Sequence, residues 1–343
     1  MSTLPPLLRG LVDDAAVFPP GSATLPDALA AHRRHREAWY ADLVGPLLVP
    51  ASALTDLAAL LDPAATIDVG VIGDVPIGDL TALLAGADPR LRIRQLEAAV
   101  ARRGEDPQPG LHALAALAAD LPVSADLPVS ADLPADRPVF AAPALPAERP
   151  VYAELPLTRG LPEALETLAR LRADGLPIAA KFRTGGLAAE LFPSPAQLAA
   201  VIAACRDHRL PFKLTAGLHH ALRHTDPATG FTHHGFVNVL AAVLAAADGA
   251  TIEEITRLLA AWDAETPAAL VGAATGRDRP LWIGFGSCSV TEPLDDLAGL
   301  GFTSTSTSTS TSTGTGTGTD ASRAAGPTRP THPAGTNDSE ERS

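Results

Sequence analysis

Eight short apolar runs, separated by Ala- and Leu-rich stretches with helical spacing, fill the first 302 residues of this chain of 343. Strands that alternate with helices are typical of βα units, and eight such units predict a closed (β/α)8 TIM barrel, about 250 residues long plus insertions. An open, doubly wound sheet is the competing fold. The predicted strands are Leu11–Val17, Pro46–Pro50, Ile67–Ile72, Leu91–Ala98, Val151–Leu155, Pro177–Phe182, Pro211–Leu214 and Leu281–Phe285. The clearest predicted helices are Leu161–Ala173, Pro195–Arg206 and Ile252–Trp262.

Two segments of low complexity fall outside this pattern. Residues 119–149 begin with repeats of Ala-Asp-Leu-Pro-Val-Ser, and regularly spaced prolines prevent a helix, so we expect a surface insertion. Val139–Pro143 is a ninth candidate strand, but only seven residues separate it from Val151, too few for a helical crossover. We therefore assign it to the insertion. Residues 303–343 alternate Thr with Ser and then Gly, which predicts a disordered C-terminal tail after a barrel domain of residues 1–302.

The charge balance narrows the classes of partner. Lys and Arg total 26 against 39 Asp and Glu, a net charge of −13, which argues against nucleic acid or an acidic membrane surface. No apolar run approaches the ~20 residues of a membrane helix, and Asp13 and Asp14 stand where a signal peptide needs apolar residues. With only Cys205 and Cys288, no disulfide framework is expected. We expect a cytoplasmic protein with a small-molecule substrate, and association into homo-oligomers stays open.

Two lysines stand near the ends of apolar runs that should be adjacent strands. Because side chains alternate along a strand, Lys181 and Arg183 share one face, as do Lys213 and Thr215 on the next run. If Phe182 packs under the helices, both lysines point into the barrel. Two ammonium groups on strands ~4.8 Å apart would lower the pKa of one of them. A neutral amine suits Schiff-base chemistry; the alternative is that each lysine reaches solvent or pairs with a glutamate.

Carboxylates end other predicted strands. Glu97 ends the fourth and Glu154 the fifth, and either could relay protons or hold a lysine in place. Structural pairing with a basic side chain is an equally good account of one of them. Asp13 and Asp14 could reach the same end of the barrel from the first strand or serve as a cap.

Small residues follow the last three predicted strands. Gly185, Gly186, Gly217, Gly286 and Ser287 lie where barrels often bind a phosphate through backbone N–H groups, although turns are rich in such residues in any case.

Several of these motifs, in order along most of residues 10–290, resemble the deoxyribose-phosphate aldolase family of class I aldolases. The segment from Lys181 to Gly186 is similar to the family's Schiff-base lysine segment, Lys213 to Gly217 to its second-lysine strand, and Phe285-Gly286-Ser287 to its closing phosphate loop. The resemblance implies a lyase without cofactor that cleaves a small, phosphorylated carbonyl compound. It makes Lys181 the imine former, Lys213 the neighbour that lowers its pKa, and Glu97 the proton relay. Glu154 is a further catalytic candidate. The candidate substrate or phosphate contacts, from the residues and the resemblance together, are Arg183, Thr184, Gly185, Gly186, Thr215, Gly217, His219, Gly286 and Ser287.

A histidine cluster supports a rival hypothesis. Half of the ten histidines lie between the seventh and eighth predicted strands, and two of them are four apart, a spacing that places two metal ligands on one helix face. With Glu97 or Glu154 they could bind zinc or another divalent metal, as in a metal-dependent lyase or hydrolase. The candidate ligands are His220, His224, His233 and His234. A third hypothesis is a barrel that binds a sugar phosphate without turnover.

Overall fold

A closed barrel of eight parallel strands forms the centre of the computed structural model, which describes residues 4–121, 150–158 and 160–303. The strands are β1 (Val12–Asp14), β2 (Val44–Pro50), β3 (Ile67–Gly73), β4 (Leu91–Ala99), β5 (Val151–Leu155), β6 (Ile178–Arg183), β7 (Phe212–Thr215), β8 (His224–Thr225), β9 (Thr232–His233) and β10 (Trp282–Ser287). Strands β8 and β9 form a separate antiparallel hairpin. The other eight match the predicted strands in order, which confirms the (β/α)8 barrel.

Helices alternate with these strands. They are α1 (Leu25–Glu37), α2 (Leu54–Ala59), α3 (Ile77–Ala85), α4 (Gln108–Asp120), α5 (Leu161–Ala173), α6 (Pro195–Asp207), α7 (Phe236–Ala247), α8 (Ile252–Ala260), α9 (Glu265–Ala273) and α10 (Thr291–Gly299). Local signals set several starts: Ser194 and Gln197 form a capping box at α6, as Thr251 and Glu254 do at α8. Within the part of the chain that the structure describes, no helix is both long and apolar enough to cross a membrane.

Closure of the barrel rules out the open sheet. Each barrel strand pairs with the next one along the chain, and β1 pairs with β10, with Val12 opposite Phe285. The register places Glu154 of β5 opposite Lys181 of β6, and Lys181 opposite Lys213 of β7. Basic and acidic side chains from neighbouring strands are therefore at one level of the barrel.

The apolar core lies between the strands and the helices. Phe182 of β6 and Phe212 of β7 are fully buried there, with ring centroids 6.2 Å apart. This confirms the predicted alternation, in which the phenylalanines pack under the helices. Helix α7 is buried over nearly all its length, because it lies in the long connection between β7 and β10 and packs against α8 and α9.

Most predicted boundaries differ from the observed ones by one or two residues, and β1, α8 and α4 show three of the differences. Strand β1 has three residues instead of the seven of Leu11–Val17, because Asp14 Oδ1 accepts a hydrogen bond from the Ala16 amide, 3.2 Å away, and turns the chain. Helix α8 ends at Ala260, before Trp262, and α4 continues to Asp120, two residues into the predicted insertion. The rest of that insertion, with its candidate strand Val139–Pro143, and the tail from residue 304 lie outside the described residues.

Two glycines make room for polar side chains inside the barrel. A Cβ on Gly45 of β2 would lie 1.9 Å from Asp13 Oδ1, and one on Gly70 of β3 would lie 2.5 Å from Leu48 Cδ2 and 2.8 Å from Gln95 Nε2. Real Cβ atoms do not approach other atoms so closely. The barrel interior at these positions therefore requires the absence of a side chain.

Gly70→Ala should lower the free energy of unfolding by roughly 1–3 kcal/mol, the usual cost of an overpacked interior, measured by urea denaturation. Gly78→Ala is the matched control, because Gly78 lies in α3 with nothing within 4 Å of an added Cβ. Alanine there should leave stability unchanged or raise it by up to about 1 kcal/mol. Equal effects of the two substitutions would contradict the packing described around Gly70.

Candidate active site inside the barrel

Lys181 lies between two glutamates in the barrel interior. Its Nζ is 2.6 Å from Glu97 Oε2 and 2.8 Å from Glu154 Oε2. The side chains of Lys181 and Glu97 are almost completely buried, and that of Glu154 is 18 % exposed. Strands β4, β5 and β6 thus place two of the predicted carboxylates on the predicted imine-forming lysine.

Lys213 lies beside the same Glu97. Its Nζ forms ion pairs with Glu97 Oε1 and with Asp13 Oδ2 of β1, and it lies 5.2 Å from the centroid of the Tyr152 ring. The Gln95 amide donates hydrogen bonds to Asp13 Oδ2, at 2.7 Å, and to Glu97 Oε1, at 2.9 Å. Glu97 therefore bridges the two lysines, one through each carboxylate oxygen.

The pKa values of both lysines are raised, which corrects the prediction that one would be lowered. Burial disfavours each ammonium, but the carboxylates of Glu154 and Glu97 outweigh it and raise the pKa of Lys181. Asp13 and Glu97 raise the pKa of Lys213 in the same way. The prediction was wrong because it considered the lysines alone. Carboxylates from β1, β4 and β5 neutralise each lysine, so the second lysine does not set the charge state of the first.

The carboxylates respond differently to burial. The pKa of Glu97 is lowered, since Lys181 and Lys213 together outweigh the effect of burial. Burial dominates at Asp13 and raises its pKa, although Lys213 opposes this. Of the carboxylates of Asp13, Glu97 and Glu154, only that of Asp13 thus has a raised pKa.

Glu154 connects this network to the end of the barrel. Its Oε1 accepts hydrogen bonds from Arg183 Nη2, at 3.0 Å, and Nε, at 3.2 Å. Burial opposes the charge of Glu154, but Lys181 and Arg183 outweigh it and lower the pKa to about 2. Glu154 and the half-exposed Arg183 also line a pocket of about 140 Å³ at the C-terminal ends of β5 and β6. Barrel enzymes have their active sites at this end.

Two of the three predicted phosphate-binding hydroxyls, those of Thr184 and Ser287, donate hydrogen bonds to the protein's own backbone. Thr184 Oγ1 donates to the carbonyl oxygen of Ala216, at 2.6 Å, and joins the chain after β6 to the chain after β7. Ser287 Oγ donates to the carbonyl oxygen of Ser289, also at 2.6 Å. Both side chains are buried. Neither hydroxyl points to an open space where a phosphate would lie.

The predicted glycines lie where segments of the chain pass close together. A Cβ on Gly185 would lie 2.8 Å from the Cα of Gly217, and one on Gly186 would lie 2.4 Å from Leu191 Cδ1. Thr215 of β7 and Gly286 of β10 are register partners on neighbouring strands. The loops after β6 and β7 are thus adjacent, and close packing is one sufficient reason for their glycines.

His219, the last of the predicted phosphate contacts, lies beyond the end of β7. Its Nδ1 is 3.2 Å from Glu292 Oε2, in the first turn of α10, and 3.7 Å from Cys288 Sγ. Burial lowers the pKa of His219. Its imidazole is thus partnered by α10 and the residue after β10.

Three of the other four histidines lie ring against ring, and His234 binds elsewhere. The ring centroid of His224 is 4.7 Å from that of His220 and 5.0 Å from that of His233. His233 Nδ1 donates to the Gly217 carbonyl, and His234 Nε2 donates to the Pro193 carbonyl. Within residues 4–121, 150–158 and 160–303, no group of three or more His, Cys, Asp or Glu side chains could hold a metal ion. The metal hypothesis therefore has no assembled donor set in the described part of the chain.

Sequence reasoning missed two members of the network and left a third open. Gln95 and Tyr152 each lie two residues before a predicted carboxylate, so strand alternation would have placed them on the interior face. Asp13 joins Lys213, whereas the neighbouring Asp14 pairs with the buried His32, at 3.0 Å. Asp13 therefore reaches the barrel interior, which is one of the two roles predicted for these aspartates.

No family model matches the sequence, and no curated protein matches it. The resemblance to deoxyribose-phosphate aldolases therefore depends on the short motifs alone and stays a prediction.

Lys213→Met should lower the free energy of unfolding by about 3–5 kcal/mol at pH 7, because it leaves the buried Asp13 without its lysine partner and removes one of the two lysines that neutralise Glu97. Urea denaturation measures the change. Adding Asp13→Asn to this variant should restore part of the loss, since one of those charges is then removed. Arg92→Met is the control: Arg92 is half exposed and paired with Asp68, and its loss should cost less than about 1 kcal/mol. Equal costs for the two single variants would contradict the buried network.

Proposed function

We propose that this protein is a lyase of the class I aldolase type, in which Lys181 forms an imine with a small carbonyl compound, in the expected case a phosphorylated one. A (β/α)8 barrel is a fold that commonly carries enzymes. The observation that carries the proposal is the placement of Lys181 between two carboxylates, one of which lines a pocket at the C-terminal end of the barrel. The motif resemblance independently selects the same lysine.

Lys181 is better placed than Lys213 to meet a substrate. Its partner Glu154 lines the pocket, so a carbonyl compound there lies next to the Lys181 ion pair. Lys213 is as deeply buried as Lys181, but its partners are Asp13, Glu97 and the Tyr152 ring, none of which lines the pocket. In the proposed function Lys213 holds Glu97 in position, and Lys181 attacks the substrate.

Attack requires a neutral amine, and the raised pKa of Lys181 means that its ammonium must first lose a proton. Glu97 and Glu154 are the bases within ion-pair distance. The neutral amine adds to the carbonyl carbon to form a carbinolamine. The carboxylic acid then returns the proton to the carbinolamine hydroxyl, which leaves as water and gives the iminium ion. Glu97 suits both transfers, because Lys213 and Gln95 fix its second oxygen.

In carbon–carbon cleavage the same carboxylates accept a proton instead of donating one. A carboxylate takes the proton from the hydroxyl on the β carbon, and the electrons of the Cα–Cβ bond move into the iminium to form an enamine. The β carbon leaves as an aldehyde. Protonation of the enamine at Cα and hydrolysis of the imine then release the second product and restore the Lys181 amine. No further cofactor is needed to balance these steps.

Sodium borohydride trapping tests this proposal directly. Wild-type protein incubated with a panel of small aldehydes, ketones and their phosphates should gain the mass of a reduced adduct, and peptide mapping should place that adduct on Lys181. Lys181→Arg should form none, because its guanidinium stays protonated. A reduced adduct on exposed amines only, or equal labelling of the Lys181→Arg variant, would overturn the imine mechanism.

The rate of trapping should rise with pH through the neutral and alkaline range, because the raised pKa of Lys181 keeps most of the amine protonated there. Glu154→Gln should move this rise to lower pH, since Glu154 makes the largest contribution to raising that pKa. Asp68→Asn is the control: its carboxylate pairs with exposed arginines and its loss should leave the profile in place. A profile that Glu154→Gln does not move would contradict the role of Glu154.

A further inference from the structure

We propose that the substrate of Lys181 is an anionic carbonyl compound, whose carboxylate or phosphate end binds between Arg103 and Arg183. This inference rests on the proposed function, in which the carbonyl end of the substrate reacts with Lys181. It adds that the other end of the substrate carries a carboxylate or a phosphate. It places the anion beside β5 and β6, away from the glycine loop after β10.

The two arginines approach one pocket from different elements of the fold. Arg183 is the last residue of β6, and Arg103 lies in the loop between β4 and α4. Both line the pocket that also contains Glu154. Arg103 Nη1 donates a hydrogen bond, at 3.1 Å, to the carbonyl oxygen of Glu190, which ties its loop to the loop after β6. The guanidinium of Arg103 is therefore held at the edge of the pocket.

Both guanidinium groups keep donors available for an anion. Arg183 uses Nε and Nη2 on one oxygen of Glu154, which leaves the donors of its Nη1. Among the described residues the only hydrogen bond of the Arg103 side chain goes to that backbone carbonyl, so no carboxylate neutralises it there. Carboxylate and phosphate groups match the planar fork of arginine donors and form strong, charge-assisted hydrogen bonds with it.

The geometry also limits the length of the substrate. Lys181 binds one oxygen of Glu154 and Arg183 binds the other, so the two cations are separated by little more than one carboxylate group. A molecule of a few carbon atoms can therefore reach from the reactive amine to the guanidinium. Leucine and proline side chains also line the pocket of Glu154 and Arg183 and suit a short apolar segment: Leu155, Pro156, Leu157, Leu191 and Pro193.

Glu190 is the group that opposes anion binding. It lines the pocket too and is exposed, so water screens its charge. Glu154 also carries a negative charge, but Lys181 and Arg183 compensate it. Removal of the Glu190 charge should therefore strengthen the binding of an anion without disturbing the ion pairs inside the barrel.

The test compares matched neutral and anionic aldehydes in borohydride trapping. Butanal is paired with 4-oxobutanoate, and glycolaldehyde with glycolaldehyde phosphate, so that the two pairs distinguish a carboxylate from a phosphate. At least one anionic aldehyde should label Lys181 of the wild-type protein with a half-saturating concentration about tenfold lower than that of its neutral partner. Arg103→Met should remove this preference, Arg103→Lys should keep part of it, and Glu190→Gln should increase it. Arg102→Met is the matched control, because the exposed Arg102 does not line the pocket.

Calorimetric titration with succinate and with inorganic phosphate separates this inference from the proposed function, since neither probe can form an imine. If Arg103→Met binds one probe more weakly than wild-type protein does, the anion pocket is supported. A failure to trap any aldehyde on Lys181 would then overturn only the imine chemistry. Trapping on Lys181 with equal half-saturating concentrations for both members of each pair would overturn the anion pocket and leave the imine chemistry standing. A preference that persists in Arg103→Met would also overturn it.

Discussion

The charge of Glu97, shared between two buried lysines, is the interaction on which the interior of this barrel depends. Each ammonium group has been removed from water, and a buried charge is tolerated only with a partner of opposite sign. Glu97 serves Lys181 with one oxygen and Lys213 with the other. Asp13 completes the set from β1, 200 positions before Lys213 in the chain. Only a closed barrel brings β1 back beside β10, the neighbour of β7, so the network and the barrel form together.

Stability alone does not explain such a network. Well-packed apolar side chains of similar volume would fill the same space at equal or lower free energy, because the desolvation of buried ions offsets most of their attraction. The surrounding strands already carry apolar side chains on their helix-facing sides, as Phe182 and Phe212 show. The charges are concentrated on the inward face near the C-terminal end, where one of them reaches a pocket. The proposed chemistry would give a reason for them, since carboxylates fixed beside an amine are positioned for proton transfer.

The sequence predicts contacts between residues that are close along a strand or on neighbouring strands better than contacts between more distant residues. Strand alternation acts over two residues, so it correctly separated Lys181 from Phe182 and could have placed Gln95 beside Glu97. The alternation of strands and helices gave the neighbours of each strand and therefore the proximity of the two lysines. The pKa of Lys181 depends on Glu97, two strands away, and on Glu154, and no local pattern reports the side-chain directions that bring both to one atom. Likewise Thr184 and Ser287 carry hydroxyls suited to a phosphate. The backbone carbonyl oxygens that accept hydrogen bonds from these hydroxyls belong to turns whose geometry only the folded chain defines.

Glu154 offers a physical solution to the difficulty that an imine-forming lysine with a raised pKa presents. Two cations, Lys181 and Arg183, lower the pKa of this carboxylate to about 2, which makes it a weak base in the free protein. If the anionic end of a substrate takes hydrogen bonds from Arg183, Glu154 loses part of that stabilisation and its affinity for a proton rises. The nearest proton is on Lys181, 2.8 Å away. Binding of such a substrate would therefore shift the proton balance between Lys181 and Glu154 toward the neutral amine that the proposed imine chemistry requires.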